Sequence, residues 1–245
     1  MVPLAVTATL TQGIVLDPRV GLALDGLLAS QVRHRARARA AGPDGSLPSG
    51  STLDGGLAVD APADPDLPLA RCPGDGTADG WHWAATFGVA VLPDGTPARD
   101  AQAHYRTGRL DGRQAEHAAR PLPEHIPERN GRYKARRAPD LSTPAAAVLW
   151  RAVGDPDAVL DLLAPLPAIG SARSRGEGAV RSWQVTAVPG GDPHAHGHLD
   201  AAGSLARPCP HACLPPGVAH QTGPAGLRPP YWHPARQALL ALPTR

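Results

Sequence analysis

The chain has 245 residues, 24 basic and 22 acidic side chains, a formal net charge of +2 and 42% hydrophobic residues. That length allows one large domain or two small ones around a real core, and the near-neutral balance excludes the highly charged disordered class. Gly (27) and Pro (29) predict many loops around a modest scaffold.

Residues 4–10 alternate Leu4, Val6, Ala8 and Leu10 against Ala5, Thr7 and Thr9, which predicts a half-buried strand. Asp25 is expected to cap a helix carrying Leu28 and Val32 and ending in Arg33, Arg35, Arg37 and Arg39. Basic residues also suit the negative end of a helix, so this run has a structural reason as well. Residues 40–79 lack periodicity and read as a long insertion, acidic over 44–79, where seven Asp stand against Arg71. Trp81, Trp83, Ala85, Phe87, Val89 and Val91 predict one face of a strand, with Pro93-Asp94-Gly95 as its turn.

Residues 93–137 form a basic excursion from the sheet, with Arg129, Arg132, Lys134, Arg136 and Arg137 near its end; Lys134 is the single lysine. Ala145 to Val153 reads as a buried central strand. Asp155 as cap and Pro156 at the first helical position open a helix with an apolar stripe of Val159, Leu160, Leu162 and Leu163. Residues 179–188 predict a last strand with Trp183 and Val185. The order strand, helix, strand, strand, helix, strand is an α+β, ferredoxin-like pattern: two helices over one face of a four-stranded antiparallel sheet. It implies a domain over 1–190 and a Pro/His-rich C-terminal extension over 191–245 that packs on it. RNA-recognition modules share this architecture with many unrelated proteins.

No basic segment precedes the first apolar stretch, and no apolar run approaches about 18 residues, so neither a signal peptide nor a membrane span is expected. Three cysteines, Cys72, Cys209 and Cys213, make no disulfide framework and point to a reducing cytoplasm. Three basic clusters on a nearly neutral chain point instead to a polyanion, the third being Arg173, Arg175 and Arg181. Arg173 and Arg175 lie within a turn that also holds Gly170, Gly176 and Gly178. Glycine lets a backbone approach a ligand closely, so the turn's amides and arginines are expected to hold phosphate oxygens. It is not a Walker loop, because no Gly-Lys-Ser/Thr follows, nor a dinucleotide fingerprint, because it follows a helix and precedes a strand.

A glycine-rich loop after the final helix of such a domain resembles the RAMP superfamily of CRISPR-associated proteins. More narrowly, the chain is similar to the type IV effector subunit related to the crRNA 5′-handle-binding RAMP. The stretches that carry the resemblance are Leu22 to Ala29, Gly131 to Ala135, Gly154-Asp155-Pro156 through Trp183, and Arg207 to Pro210 with Arg228 to Trp232. The superfamily loop often has a further glycine near its start, where only Gly170 stands here. The resemblance implies a non-catalytic subunit that holds the 5′ handle of a guide RNA and caps a filament of backbone RAMP subunits. A large or small effector subunit would be a neighbour, and target DNA would be met only indirectly. The excursion would be a thumb with Arg132, Lys134, Arg136 and Arg137 near its root. Arg33 and Arg35 would add phosphate contacts, and Tyr231 and Trp232 either stack on a base or pin the C-terminal tail.

Two other chemistries compete. Some RAMP relatives are metal-independent endoribonucleases, needing a base for the 2′-OH and a cation for the phosphate. His34, beside Arg33 and Arg35, is the best-placed base, with Tyr105 and Tyr133 as fallbacks. For metal, no cofactor is expected; the alternative is zinc on Cys209, His211, Cys213 and His198, where Cys-Pro-His-Ala-Cys is one knuckle at most. Serine-hydrolase and deaminase signatures are absent.

Overall fold

The computed structural model describes residues 1–16, 21–41, 63–74, 76, 80–108 and 136–244. In chain order the elements are β1 (Val2–Leu10), α1 (Leu24–Ala40), β2 (Arg71–Cys72), β3 (His82–Trp83), β4 (Val89–Val91), β5 (Gln102–Gly108), β6 (Arg136–Ser142), β7 (Ala147–Gly154), α2 (Pro156–Leu163), β8 (Val180–Ala187), α3 (Pro193–His198), β9 (His220–Gly226) and β10 (Gln237–Pro243). Most of the predicted insertion at 40–79 lies outside the described residues.

Alternation does its work in β1: Leu4, Val6, Ala8 and Leu10 are buried and the residues between them only half so. β1 pairs antiparallel with β7, from Val2 opposite Gly154 to Thr9 opposite Ala147, and on its other edge with β8. β4 pairs with β7, giving one antiparallel sheet in the order β4-β7-β1-β8. α1 and α2 cover one face of it. Leu24, Leu28 and Ala29 of α1 and Val159, Leu162 and Leu163 of α2 merge with Leu4, Val6, Val148, Trp150 and Ala152 into the core. The Trp150 and Trp183 rings stack there, 5.8 Å between centroids. Their indole N–H groups donate to the carbonyls of Leu22 and Leu166, so neither polar atom is buried unpaired. On the other face α3 packs against β7 and β1. There the Arg151 guanidinium donates to the carbonyls of Leu199 and Asp200 just beyond the helix.

The α2 boundary follows its local chemistry. The Asp155 carboxylate accepts from the amides of Asp157 and Ala158, both at 3.0 Å, and Pro156 opens the first turn. α1 departs from expectation: its N-cap is Ala23, with no side-chain cap bond, and Asp25 lies inside the helix and fully buried. The strand expected over 81–91 is also corrected, to the short β3 and β4 separated by isolated bridges of Ala85 with Ala152 and Phe87 with Ala23. His82 to Thr86 are buried without a break, so alternation no longer reports one face. The cause is cover from the C-terminal extension: the Arg207 guanidinium donates to the carbonyls of Trp83 and Ala85, and the Phe87 amide to that of Ala206.

β5 and β6 pair as a separate ribbon, from Gln102 opposite Ser142 at the sheet end to Gly108 opposite Arg136 at the far end. β9 and β10 form another, tied back through Cys209 and Ala241, which exchange amide-to-carbonyl bonds of 3.1 and 2.9 Å. Among the described residues no helix is long and apolar enough to cross a membrane.

Candidate functional site

The glycine-rich turn joins α2 to β8 and is closed at its neck by the Ile169 amide donating to the Gly178 carbonyl at 2.9 Å. Gly178 has φ +64°, and a Cβ there would stand 1.9 Å from the Ile169 carbonyl oxygen. Only glycine fits that geometry. Ala172 is held at φ 60°, the one non-glycine residue with positive φ among those described. For an alanine this conformation costs on the order of 1–2 kcal/mol, so the surroundings impose it.

Those surroundings are the segment after β1 and the root of the β5–β6 ribbon. The Ser171 amide donates to the Val15 carbonyl (2.9 Å) and the Gly178 amide to the Gly13 carbonyl (2.8 Å). Ile14 exchanges backbone bonds of 2.9 and 2.8 Å with Thr143, directly after β6. The Ser142 hydroxyl donates to the Glu177 carboxylate at 2.7 Å. The turn and the ribbon root, which are far apart in sequence, thus meet around Gly13 and Ile14. The expected role of the turn's amides is revised, because those of Ser171, Arg175, Gly176, Gly178 and Ala179 already donate to protein carbonyls. The side chains of Arg173 and Arg175 are both exposed.

The other basic residues divide. Arg35 is half-buried and bridges the two helices, donating to the Asp161 carboxylate at 2.5 Å and to the Asp161 carbonyl. The Arg33 Nε donates to the Ala29 carbonyl within α1, and burial with Arg37 nearby lowers its pKa. Arg37, Arg39 and His34 are exposed on the same helix. Arg132 and Lys134 lie outside the described residues. Arg136 and Arg137 begin β6, so their backbone is at the far end of the ribbon rather than near its root. Six residues of strand, about 20 Å, separate Arg136 from Ser142.

Sequence reasoning missed a buried charge network. Arg207 is fully buried; its guanidinium donates to the carbonyls of Trp83, Ala85 (2.7 Å) and Leu227 (3.0 Å), and it stands 3.9 Å from the Asp25 carboxylate. The Tyr231 hydroxyl donates to both Asp25 oxygens at 2.6 and 2.7 Å. Burial lifts the Asp25 carboxyl above its usual range, against the pull of Arg207 and the Tyr231 hydroxyl; burial beside Asp25 lifts the Tyr231 phenol well above its own. Tyr231 thus pins the tail, with its ring edge-on to Phe87, while Trp232 is 71% exposed. Arg228 and Arg236 both donate to Asp64, and Arg228 also lies over the Trp81 ring. No local signal announces these pairs, because the acids and arginines lie at opposite ends of the chain.

The cysteines and histidines gather differently from the expected set. Cys72, His82, His198 and Cys213 bring their Sγ and ring nitrogen atoms within 4.8 Å of one another. Cys209 is buried but outside that group, its thiol pushed up to about 11 by burial. His211 is exposed and 3.5 Å from the Thr222 hydroxyl. Burial, with Arg207 nearby, pushes the His82 imidazole down to about 4.

Compared with known families, residues 2–243 match the model of the CRISPR type IV associated protein Csf3, which spans almost the entire chain. No curated protein matches it.

Proposed function

We propose that this chain, which belongs to the Csf3 family and is a component of type IV CRISPR systems, is a non-catalytic RNA-binding subunit of the effector ribonucleoprotein, holding the 5′ handle of the crRNA and capping the filament of backbone subunits. The order β4-β7-β1-β8, with α1 and α2 on one face, supports a ferredoxin-like reading of the RAMP kind for the sheet domain. The observation that carries the proposal is the junction at Gly13 and Ile14, where the arginine-bearing turn is bonded to the root of the β5–β6 ribbon. An RNA crossing there would meet guanidinium groups held by a rigid backbone, and the ribbon would project beside it as a thumb. Arginine grips phosphates without reading sequence, which suits a subunit that must accept a variable guide next to a constant handle.

The test is to co-express the chain with its genomic neighbours, purify through a tag on it and extract nucleic acid. Short RNAs of uniform length sharing a 5′ segment are expected. Absence of RNA at moderate salt, with the neighbours present, would overturn the reading in favour of a protein scaffold. The same preparation separates holder from processor: the chain alone should leave precursor crRNA uncut, and His34→Ala should change nothing in RNA content.

A further inference from the structure

We propose that Cys72, His82, His198 and Cys213 form a structural zinc site that staples the β2–β3 ribbon to the C-terminal extension.

Two thiols and two imidazoles are a complete ligand set for tetrahedral Zn²⁺, and the soft S₂N₂ composition favours zinc over magnesium, calcium or manganese. In such a tetrahedron the sulfurs stand about 3.8 Å apart and the nitrogens about 3.4 Å. Here the Cys72 and Cys213 sulfurs are 3.5 Å apart and the His82 and His198 Nε2 atoms 2.9 Å. Both edges need to open by only a few tenths of an ångström to admit the ion. Two thiolates and two neutral imidazoles around Zn²⁺ carry no net charge, which suits a site where His82, His198 and Cys213 are each at most 3% exposed.

The groups around the ligands point the same way. The His198 Nδ1 lies 2.7 Å from the His194 carbonyl, which can only accept, so Nδ1 carries the proton and Nε2 turns its lone pair toward the cluster. Such an outer bond to a carbonyl is the usual means of orienting a metal-bound histidine. Cys72 opens the turn Cys72-Pro73-Gly74, beyond which the Gly76 amide donates to the Pro73 carbonyl at 3.2 Å. Gly74 has φ +68°, and a Cβ would stand 1.9 Å from the Gly80 carbonyl oxygen, so this knuckle requires glycine. His82 Nδ1, by contrast, is buried without a hydrogen-bond partner, so nothing but the shared centre orients this ring through its nitrogens.

The site also has structural work to do. β2 and β3 are two residues each, with Cys72 directly opposite His82, and a ribbon that short does not hold itself together. Its two ligands meet His198 at the end of α3 and Cys213 in the short helical turn over His211–Cys213. One ion would therefore bind three chain segments at once, beside a small apolar cluster of Leu205, Cys209, Cys213 and Ala241.

The full chain, purified without chelator and without a metal-affinity step, should contain one zinc per chain by elemental mass spectrometry, released when the thiols are titrated with a mercurial. Cobalt(II) substitution should give the intense visible bands of a tetrahedral thiolate site. Cys72→Ser and His198→Ala should each lose the metal; Cys209→Ser and His211→Ala should each keep a full equivalent. Wild-type protein grown with added zinc yet holding less than a tenth of an equivalent would overturn the proposal. So would a Cys72–Cys213 disulfide in freshly purified protein, or retention of zinc by Cys72→Ser. The wild-type content and the cobalt spectrum decide the matter even where a ligand variant does not fold.

Discussion

The arginines of the C-terminal extension and those of the glycine-rich turn differ first in what surrounds them. Arg207 has no exposed surface, and its donors point at four carbonyls and a buried carboxylate. Arg173 and Arg175 stand on a tight backbone knot in which five amides already donate to protein carbonyls, and both side chains are exposed. A buried guanidinium bonded on every side, as that of Arg207 is, fixes the extension in one place on the sheet domain. An exposed one adds little to folding. The same residue type thus divides into buried struts and exposed side chains, and burial, not count, separates them.

The largest expected effect tests the strut. Arg207→Ala removes the cation beside the buried Asp25 carboxylate and the donor of four carbonyls, and should cost about 3–5 kcal/mol in denaturant unfolding. A loss under about 1 kcal/mol would break the distinction between the two sets. Gly178→Ala comes next. Its Cβ meets the Ile169 carbonyl at positive φ, so a loss of about 1–2 kcal/mol is expected, with weaker RNA retention because the knot must open. Asp155→Ala removes a helix cap on the scaffold side alone, and should cost about 1 kcal/mol while leaving RNA retention unchanged. At the small end, Arg173→Ala should move stability by less than about 0.5 kcal/mol. A larger loss would mean that the turn's arginines are also structural.

The same contrast explains how much was legible beforehand. β1, β7 and α2 obey local rules, alternation for the first, a continuous apolar run for the second, a cap plus proline for the third, and each formed where expected. Asp25 looked like a cap because its sequence neighbours are helical; its partners Arg207 and Tyr231 come from the far end of the chain. Trp81 to Val91 looked like one strand because alternation cannot report that a distant arginine covers the backbone of Trp83 and Ala85. The turn's glycines and arginines marked it as a candidate beforehand, but nothing local showed its use of its own amides, nor its junction with Ser142 and Thr143. In the Cys/His group, Cys213 and His198 were visible as ligand types. Cys72 and His82 join them only through the antiparallel register of β2 and β3, which no spacing rule anticipates.

The most direct test of the RNA-holding role is the affinity of the purified complex for its guide RNA, measured across a salt series. Wild type is compared with the double variant Arg173→Ala plus Arg175→Ala. Loss of two phosphate contacts predicts weaker retention at every salt concentration and a plot of log affinity against log salt shallower by about 1.4, at roughly 0.7 per phosphate on single-stranded RNA. Unchanged retention with an unchanged slope would contradict the account.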